Sequence, residues 1–210
     1  MKKILYLILH TEKQSERYHN IISTWGKNCD YLFYSDHEDL KNNIIKVSDN
    51  NSYNSAEEKF CNVMKLIPED YKNYEWYFFC DNDTFVNTQL MLSNLENFST
   101  DLVHGEVINS FHPDKSLFYL SGGAGYLVHK NIVKLMMSGV KNYNTGYSDV
   151  SFGYFLRDNN IKINDCKLFN SQPPPFFKIK YENSHNYITF HYIKKLDEME
   201  RLYKLSKKEF

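Results

Sequence analysis

The chain has 210 residues, the length of one domain. Its 42% hydrophobic and 24% charged residues, with only 8 Gly and 5 Pro, exclude disordered and collagen-like classes. Lys plus Arg number 25 against 26 Asp plus Glu, so the formal net charge is -1 and no broad basic field exists for general nucleic-acid binding.

Met1-Lys2-Lys3 before Ile4 to Leu9 imitates a signal peptide. The apolar run is far shorter than the roughly 20 residues of a membrane span. It stops at His10-Thr11-Glu12 without a small-residue cleavage site. A buried parallel strand accounts for it, because such strands are continuous apolar runs. No other segment approaches a span, so a soluble, cytoplasmic protein is expected.

Glu16 to Lys27 carries Tyr18, Ile21, Ile22 and Trp25 at helical spacing. Tyr31–Ser35 and Ile44–Val47 read as strands. Ser55-Ala56-Glu57-Glu58 is a capping-box sequence. Behind it Ala56, Phe60, Val63, Met64 and Ile67 share a helical face, and Pro68 stops the helix. Trp76–Cys80 is a second buried strand. A helix after Thr88 presents Leu92, Leu95 and Phe98. Val103 and Phe118–Leu120 read as strands, and Lys130–Ser138 as a helix ended by Gly139. Ser148 is the expected cap of a helix with Val150, Phe155 and Leu156 inward. Gln172 to Pro175 is a loop, Ile188–Tyr192 a late strand, and Leu196, Met199, Leu202 and Tyr203 mark the last helix.

This alternation predicts an α/β domain with a mainly parallel, Rossmann-like central sheet flanked by helices. No repeat or linker divides it. Cys29, Cys61, Cys80 and Cys166 form no CxxC pair, so zinc is not expected. Without a secretory signal, reduced thiols are favoured.

Ligands in such folds collect beyond the carboxyl ends of the strands. Asp81-Asn82-Asp83 follows one strand, and its two carboxylates make an oxygen site for a hard divalent ion. The same tripeptide is also good turn chemistry. Ser121-Gly122-Gly123-Ala124-Gly125 follows another strand and lacks both the Walker and the dinucleotide spacing. It reads either as a close-approach loop for a ligand or as a tight strand-to-strand bend. Asp149 lies in the first turn of a predicted helix, where the dipole favours its ionised form. It reads as a general base or as a helix stabiliser. His191 sits in an aromatic strand, as an imidazole ligand or a satisfied core histidine. His10, His104 and His129 read as structural.

In order along nearly the whole chain, these segments resemble glycosyltransferase family 31, which includes Fringe and the core 1 β-1,3-galactosyltransferases. The segments are Arg17 to Trp25, Cys29 to Phe33, Trp76 to Val86, Ser121 to Tyr126, Asp149 to Gly153 and Phe190-His191-Tyr192. Stretches 121–130 and 189–205 look most like the core 1 synthases. The resemblance implies a single GT-A type catalytic domain over 1–210, without the usual membrane anchor and stem. It implies inverting transfer of a hexose, galactose favoured, from a UDP-sugar to a glycan or glycoprotein hydroxyl through a β-1,3 linkage. A Fringe-like N-acetylglucosaminyltransferase and a non-catalytic nucleotide-sugar or glycan-binding relative are the alternatives. Asp83 and His191 match the family's metal ligands, with Asp81 beside them; the implied ion is Mn²⁺, with Mg²⁺ as the alternative. Asp81, Asn82, Asp83, Gly122, Gly123 and Ala124 match the donor-binding segments, and Asp149 the proposed base. Asn82 replaces the middle acid of the usual triplet, and Ser148 stands where many members carry an acid.

The 17 Tyr, 15 Phe and 2 Trp are a marked aromatic excess. Some belong to the core. Tyr126, Tyr147, Phe176, Phe177 and Tyr192 lie next to the matched motifs and are candidates for lining a sugar cleft. Heavy Lys, Asn and Ile usage suits an AT-rich bacterial or large-virus genome.

Overall fold

The computed structural model describes residues 2–108 and 114–207; Met1, the first residue of the signal-like start, lies outside them. The chain opens with strand β1 (Lys2–Leu9), helix α1 (Ser15–Ile22), and strands β2 (Asp30–Ser35) and β3 (Ile44–Lys46). Helix α2 (Ala56–Leu66) leads to β4 (Tyr74–Asp81), the short β5 (Phe85–Val86) and α3 (Thr88–Ser93). Then come β6 (Leu102–Gly105), β7 (Val107–Ile108), β8 (Tyr119–Leu120) and β9 (Tyr126–His129). Helices α4 (Lys130–Gly139) and α5 (Ser148–Asp158), strands β10 (Lys162–Asp165) and β11 (Thr189–Phe190), and helix α6 (Leu196–Ser206) complete the chain.

Seven strands form one sheet in the order β10-β6-β9-β4-β1-β2-β3. All neighbours are parallel except β9, which runs antiparallel to both β4 and β6. The sheet is buried on both faces, and β4 shows why its sequence lacks alternation. Tyr77 and Phe79 enter the core beneath α2, α4 and α5, whereas Trp76, Phe78 and Cys80 enter the core beneath α1, α3 and α6. The two layers use most of the aromatic excess. Tyr126 stacks between Phe79 and Phe152, with ring centroids 5.3 and 4.7 Å away. It is therefore core and does not face a cleft.

Several local expectations are corrected. The first helix ends at Ile22, because Ser23 and Thr24 turn their hydroxyls back onto the carbonyls of His19 and Asn20. A separate helical turn, Trp25–Asn28, follows. The capping box does not form. Ser55 adopts helical φ/ψ and gives its hydroxyl to the Ser52 carbonyl, while Glu58 accepts from Ser48. Tyr147, not Ser148, occupies the cap position of α5, and no side-chain capping bond is present there. Leu92 and Phe118 are exposed, and Met91 fills the buried position of α3. The late strand shortens to Thr189–Phe190. No disulfide links the four cysteines, which are free. Among the described residues no helix is long and apolar enough to cross a membrane.

The topology gathers chain segments at one edge. Leu9 is in register with both Tyr34 and Asp81, so β1, β2 and β4 end together. His10 and Asp36 follow directly, and Asp81 is the last residue of β4. Because β9 runs the other way, the glycine turn before it returns to this same edge. Gly125 makes that turn with φ +79, and a Cβ there would lie 2.2 Å from the Phe78 ring.

Candidate active site

A cleft of about 440 Å³ opens at the carboxyl edge of the sheet. Asp81, Asn82, Asp83, Gly122, Gly123, Asp149 and His191 all line it, so residues from four separate segments converge. Ala124 does not. It is fully buried in the core beside the sheet, and its N–H donates to Ser121 Oγ. Tyr147 and Tyr192 line the cleft; Phe176 and Phe177 are exposed outside its lining.

His191 reaches Asp83 because β11 pairs with β5, immediately after the Asp81–Asp83 turn. The Ile193 N–H donates to the Asp83 carbonyl and fixes the approach. His191 Nε2 lies 3.0 Å from Asp83 Oδ1 and 3.7 Å from Asp81 Oδ2. The other ring nitrogen, Nδ1, faces the Ser171 carbonyl at 3.3 Å. A carbonyl only accepts, so Nδ1 donates and Nε2 is left as the ligand atom. One donor atom from each of Asp81, Asp83 and His191 lies within 4.8 Å of the others. Neighbouring donors on a small octahedral ion sit about 3 Å apart. Two carboxylates and an imidazole gathered in this way suit one divalent ion.

Gly123 lies against the His191 ring; a Cβ there would fall 2.2 Å from it. The Gly123 carbonyl accepts from Thr84 Oγ1 at 2.8 Å, which ties the glycine turn to the acidic turn. Gly123→Ala is expected to push the imidazole aside, lowering stability by about 1–3 kcal/mol and metal affinity by about tenfold or more. A thermal melt and a Mn²⁺ titration check this, and wild-type values in both would remove the glycine from the site.

Asp83 is almost fully buried and shares its charge between two partners. Arg17 donates to Asp83 Oδ2 at 3.3 Å, to Asn82 Oδ1 at 3.1 Å and to Gln14 Oε1 at 3.1 Å. Burial alone would raise the Asp83 carboxyl, but the His191 hydrogen bond and charge, with Arg17, outweigh it and hold it low. Asp81 behaves oppositely. Burial at the strand end lifts it to about 6, with Asp83 and Asp149 adding to the lift and His191 opposing it. About a third of its side chain still meets solvent. Burial works against the charged form of His191, yet the Asp83 hydrogen bond and the Asp81 charge raise its pKa.

Asn82 explains its own departure from an acidic triplet. Its amide nitrogen faces His10 Nδ1 and Gln14 Oε1, both at 3.1 Å, so the position requires a donor. An aspartate cannot donate there. Burial lowers His10 to about 4 and keeps it neutral, which leaves Nδ1 able to accept.

Asp149 lies on the facing wall. Its Oδ2 accepts the Gly122 N–H at 3.2 Å and its Oδ1 the Val150 N–H at 2.8 Å. Burial raises its pKa, and these two amides resist the rise. The helix start thus aims the carboxylate at the glycine turn.

The sequence reading missed a second charged cluster, which Lys59 brings to the cleft wall. Lys59, nearly fully buried, lies 3.5 Å from Asp36 Oδ1 and donates to the His10 carbonyl at 3.3 Å. Burial would raise Asp36, but hydrogen bonds from the Glu12 amide, Ser35 and Thr11 outweigh it and hold the carboxyl near 2. Burial lowers Lys59, and Asp36 opposes that. Two signals were present. Asp36 directly follows a strand at the ligand edge, and Lys59 falls on the apolar face of α2, three residues after Ala56 and four before Val63.

Solved structures share this architecture. A glycosyltransferase involved in glycosylation of the major capsid of PBCV-1 superposes with a TM-score of 0.59 at 15% identity, over 97% of this chain and 98% of that one. The galactosyltransferase LgtC, solved with donor and acceptor sugar analogues, gives a TM-score of 0.53 at 11% identity, over 96% and 95%. GlyE of Streptococcus pneumoniae TIGR4 gives 0.55 at 10% identity; it covers 100% of this chain, which spans 61% of that protein. The fold is therefore that of the GT-A glycosyltransferases. The profile of the Fringe-like family matches residues 2–207. The chain belongs to the Fringe-like family, within glycosyltransferase family 31, and is a glycosyltransferase.

Proposed function

We propose that the protein is an inverting, metal-dependent β-1,3-glycosyltransferase that moves a hexose, galactose favoured, from a UDP-sugar to a glycan or glycoprotein hydroxyl. The whole chain serves as one catalytic domain. The observation that carries this reading is the meeting of Asp81, Asp83 and His191 with Asp149 across a single cleft. Asp81, Asp83 and His191 would hold the ion. A divalent cation bound there neutralises the diphosphate and stabilises departing UDP.

The chain's own residues supply the rest. Arg17 and Lys194 add positive charge along the diphosphate path. The lobe lined by His10, Thr11, Ser52, Ser55 and Lys59 offers hydroxyl, carbonyl and cationic partners for a nucleoside. Asp149 accepts the proton of the acceptor hydroxyl as that oxygen attacks the anomeric carbon from the face opposite UDP. One such attack inverts an α-donor to a β-product. Tyr147 and Tyr192, each about half exposed, offer flat apolar faces to a pyranose. Tyr192 holds a left-handed φ of 62 and packs on His191 with ring centroids 3.9 Å apart. That costly backbone conformation for a tyrosine supports a functional placement.

A specific observation favours a second reading, a binding protein without turnover. Both Asp149 oxygens already accept backbone N–H groups, as a purely structural carboxylate would. A donor screen with Mn²⁺ separates the two. UDP-galactose and UDP-N-acetylglucosamine are incubated with an acceptor panel, and UDP release is read with and without EDTA. EDTA-sensitive release is expected, greatest with UDP-galactose. UDP binding without release from any donor would favour the second reading.

A further inference from the structure

Glu57 has no role in the chemistry above, yet its buried carboxylate accepts four hydrogen bonds. It is the second residue of α2 and only 2% exposed. An acid in a first helical turn ordinarily faces its own helix N-terminus. Glu57 instead turns to the segment joining α4 to α5. Its Oε1 accepts the Tyr143 N–H at 2.6 Å. Its Oε2 accepts the N–H groups of Thr145 and Gly146, both at 2.7 Å, and the Thr145 hydroxyl at 3.1 Å. Left-handed residues at Asn144 (φ 59) and Gly146 (φ 75) curl this segment so that its amides converge on the carboxylate.

Each end of this clamp belongs to a different wall of the cleft. Ser55, Ala56 and Lys59, the neighbours of Glu57, line the proposed nucleoside lobe, and Tyr147, Ser148 and Asp149 follow Gly146 on the opposite wall. Farther along, α2 and α5 are already joined by the Phe60–Phe152 contact, with centroids 5.6 Å apart. The Glu57 clamp holds the two helix starts, where the cleft is.

We infer that Glu57 is a positioning residue: it fixes the wall bearing Asp149 against the wall that holds the donor. The inference rests on the proposed role of Asp149 as base. Its consequence is a loss of turnover without a loss of donor binding, because a misplacement of about 1 Å at a reacting group can cost on the order of a hundredfold in rate.

Glu57→Gln tests this in the full chain. It preserves size and one oxygen, but its NH2 cannot accept a backbone N–H. Hydrogen exchange of the 143–149 amides is expected to speed by about tenfold or more, with β4 amides unchanged. Calorimetric UDP affinity in Mn²⁺ should stay within about twofold, while kcat falls about 10- to 100-fold at constant donor KM. Thr145→Val, which removes one donor from the other side of the clamp, should move the same readouts less far. It also guards against poor folding of the first variant. Unchanged loop exchange would overturn the clamp. A UDP affinity that falls in step with kcat would overturn the positioning role and leave Glu57 as general scaffold. If the wild type transfers from no donor, the catalytic reading itself fails, and positioning of a base fails with it; loop exchange still decides whether the clamp exists.

Discussion

Replacing Asp83 with alanine is expected to abolish Mn²⁺-dependent binding of UDP. Its carboxylate joins two of the cleft's charged side chains to the acidic turn. Its Oδ1 meets His191 at 3.0 Å, its Oδ2 meets Arg17 at 3.3 Å, and it stands two residues from Asp81. Loss of an outer-shell partner alone lowers metal affinity about 10- to 100-fold. Loss of a direct ligand should exceed that, so a fall of more than about a hundredfold is expected. The fold should survive. Arg17 retains Gln14 and Asn82, His191 retains Asp81, and the lost pairing costs about 1–3 kcal/mol. Calorimetric titration of UDP with and without Mn²⁺, beside a thermal melt, gives the answer. A folded variant with wild-type metal-dependent affinity would mean that the ion is held elsewhere.

Asp149→Asn separates binding from chemistry. Asparagine matches aspartate in shape but is a far poorer proton acceptor. Removal of a positioned general base typically costs 10²- to 10⁴-fold in rate, and a loss of about that size is expected. UDP affinity should be retained, because the donor-side groups Asp81, Asp83, His191 and Arg17 are untouched. One amide clash is introduced, since Asp149 accepts from both Gly122 and Val150, and a modest fall in melting temperature should accompany the substitution. The wild type carries a linked pH signature. Burial raises the Asp149 pKa, and a base works only when deprotonated. The acid limb of kcat should therefore lie above the ordinary aspartate range, with activity lost as pH falls through it. Undiminished transfer by the variant would remove Asp149 as base.

The sheet's interior strands were legible because burial on both faces writes itself as continuous apolar sequence, as in Ile4–Leu9 and Trp76–Cys80. The helix around Phe60, Val63 and Met64 was legible from one-sided periodicity. β10 was missed because it is an edge strand: Lys162 and Asp165 are exposed and leave no apolar run. β9 was missed because a four-residue apolar segment next to a helix has no period of its own, and its reversed direction is a tertiary fact. The capping box failed because Glu57 and Glu58 found partners remote in sequence, on the 143–146 segment and on Ser48. Within the cleft, the acids at strand ends could be read from position. Arg17 could not, because its partners Asn82 and Asp83 lie 65 and 66 residues away. Ala124 was assigned as part of the glycine turn that matches a donor-binding segment, and Tyr126 by adjacency to that turn. A side chain one or two positions along a turn or strand can face the opposite way, and both of theirs enter the core.

The short pairing of β11 with β5 has a consequence for biogenesis. It joins segments separated by half the chain, and the three candidate ligands become neighbours only when it closes. Such a contact carries a high loop-closure cost and belongs to the slow, non-local part of folding. Ribosome-bound chains shorter than His191 can build most of the sheet but lack the third ligand. A cation that binds only the closed arrangement would then favour docking of the final segment by mass action. The same three side chains would act first as a latch on the late β11 segment and afterwards in the proposed grip on a donor.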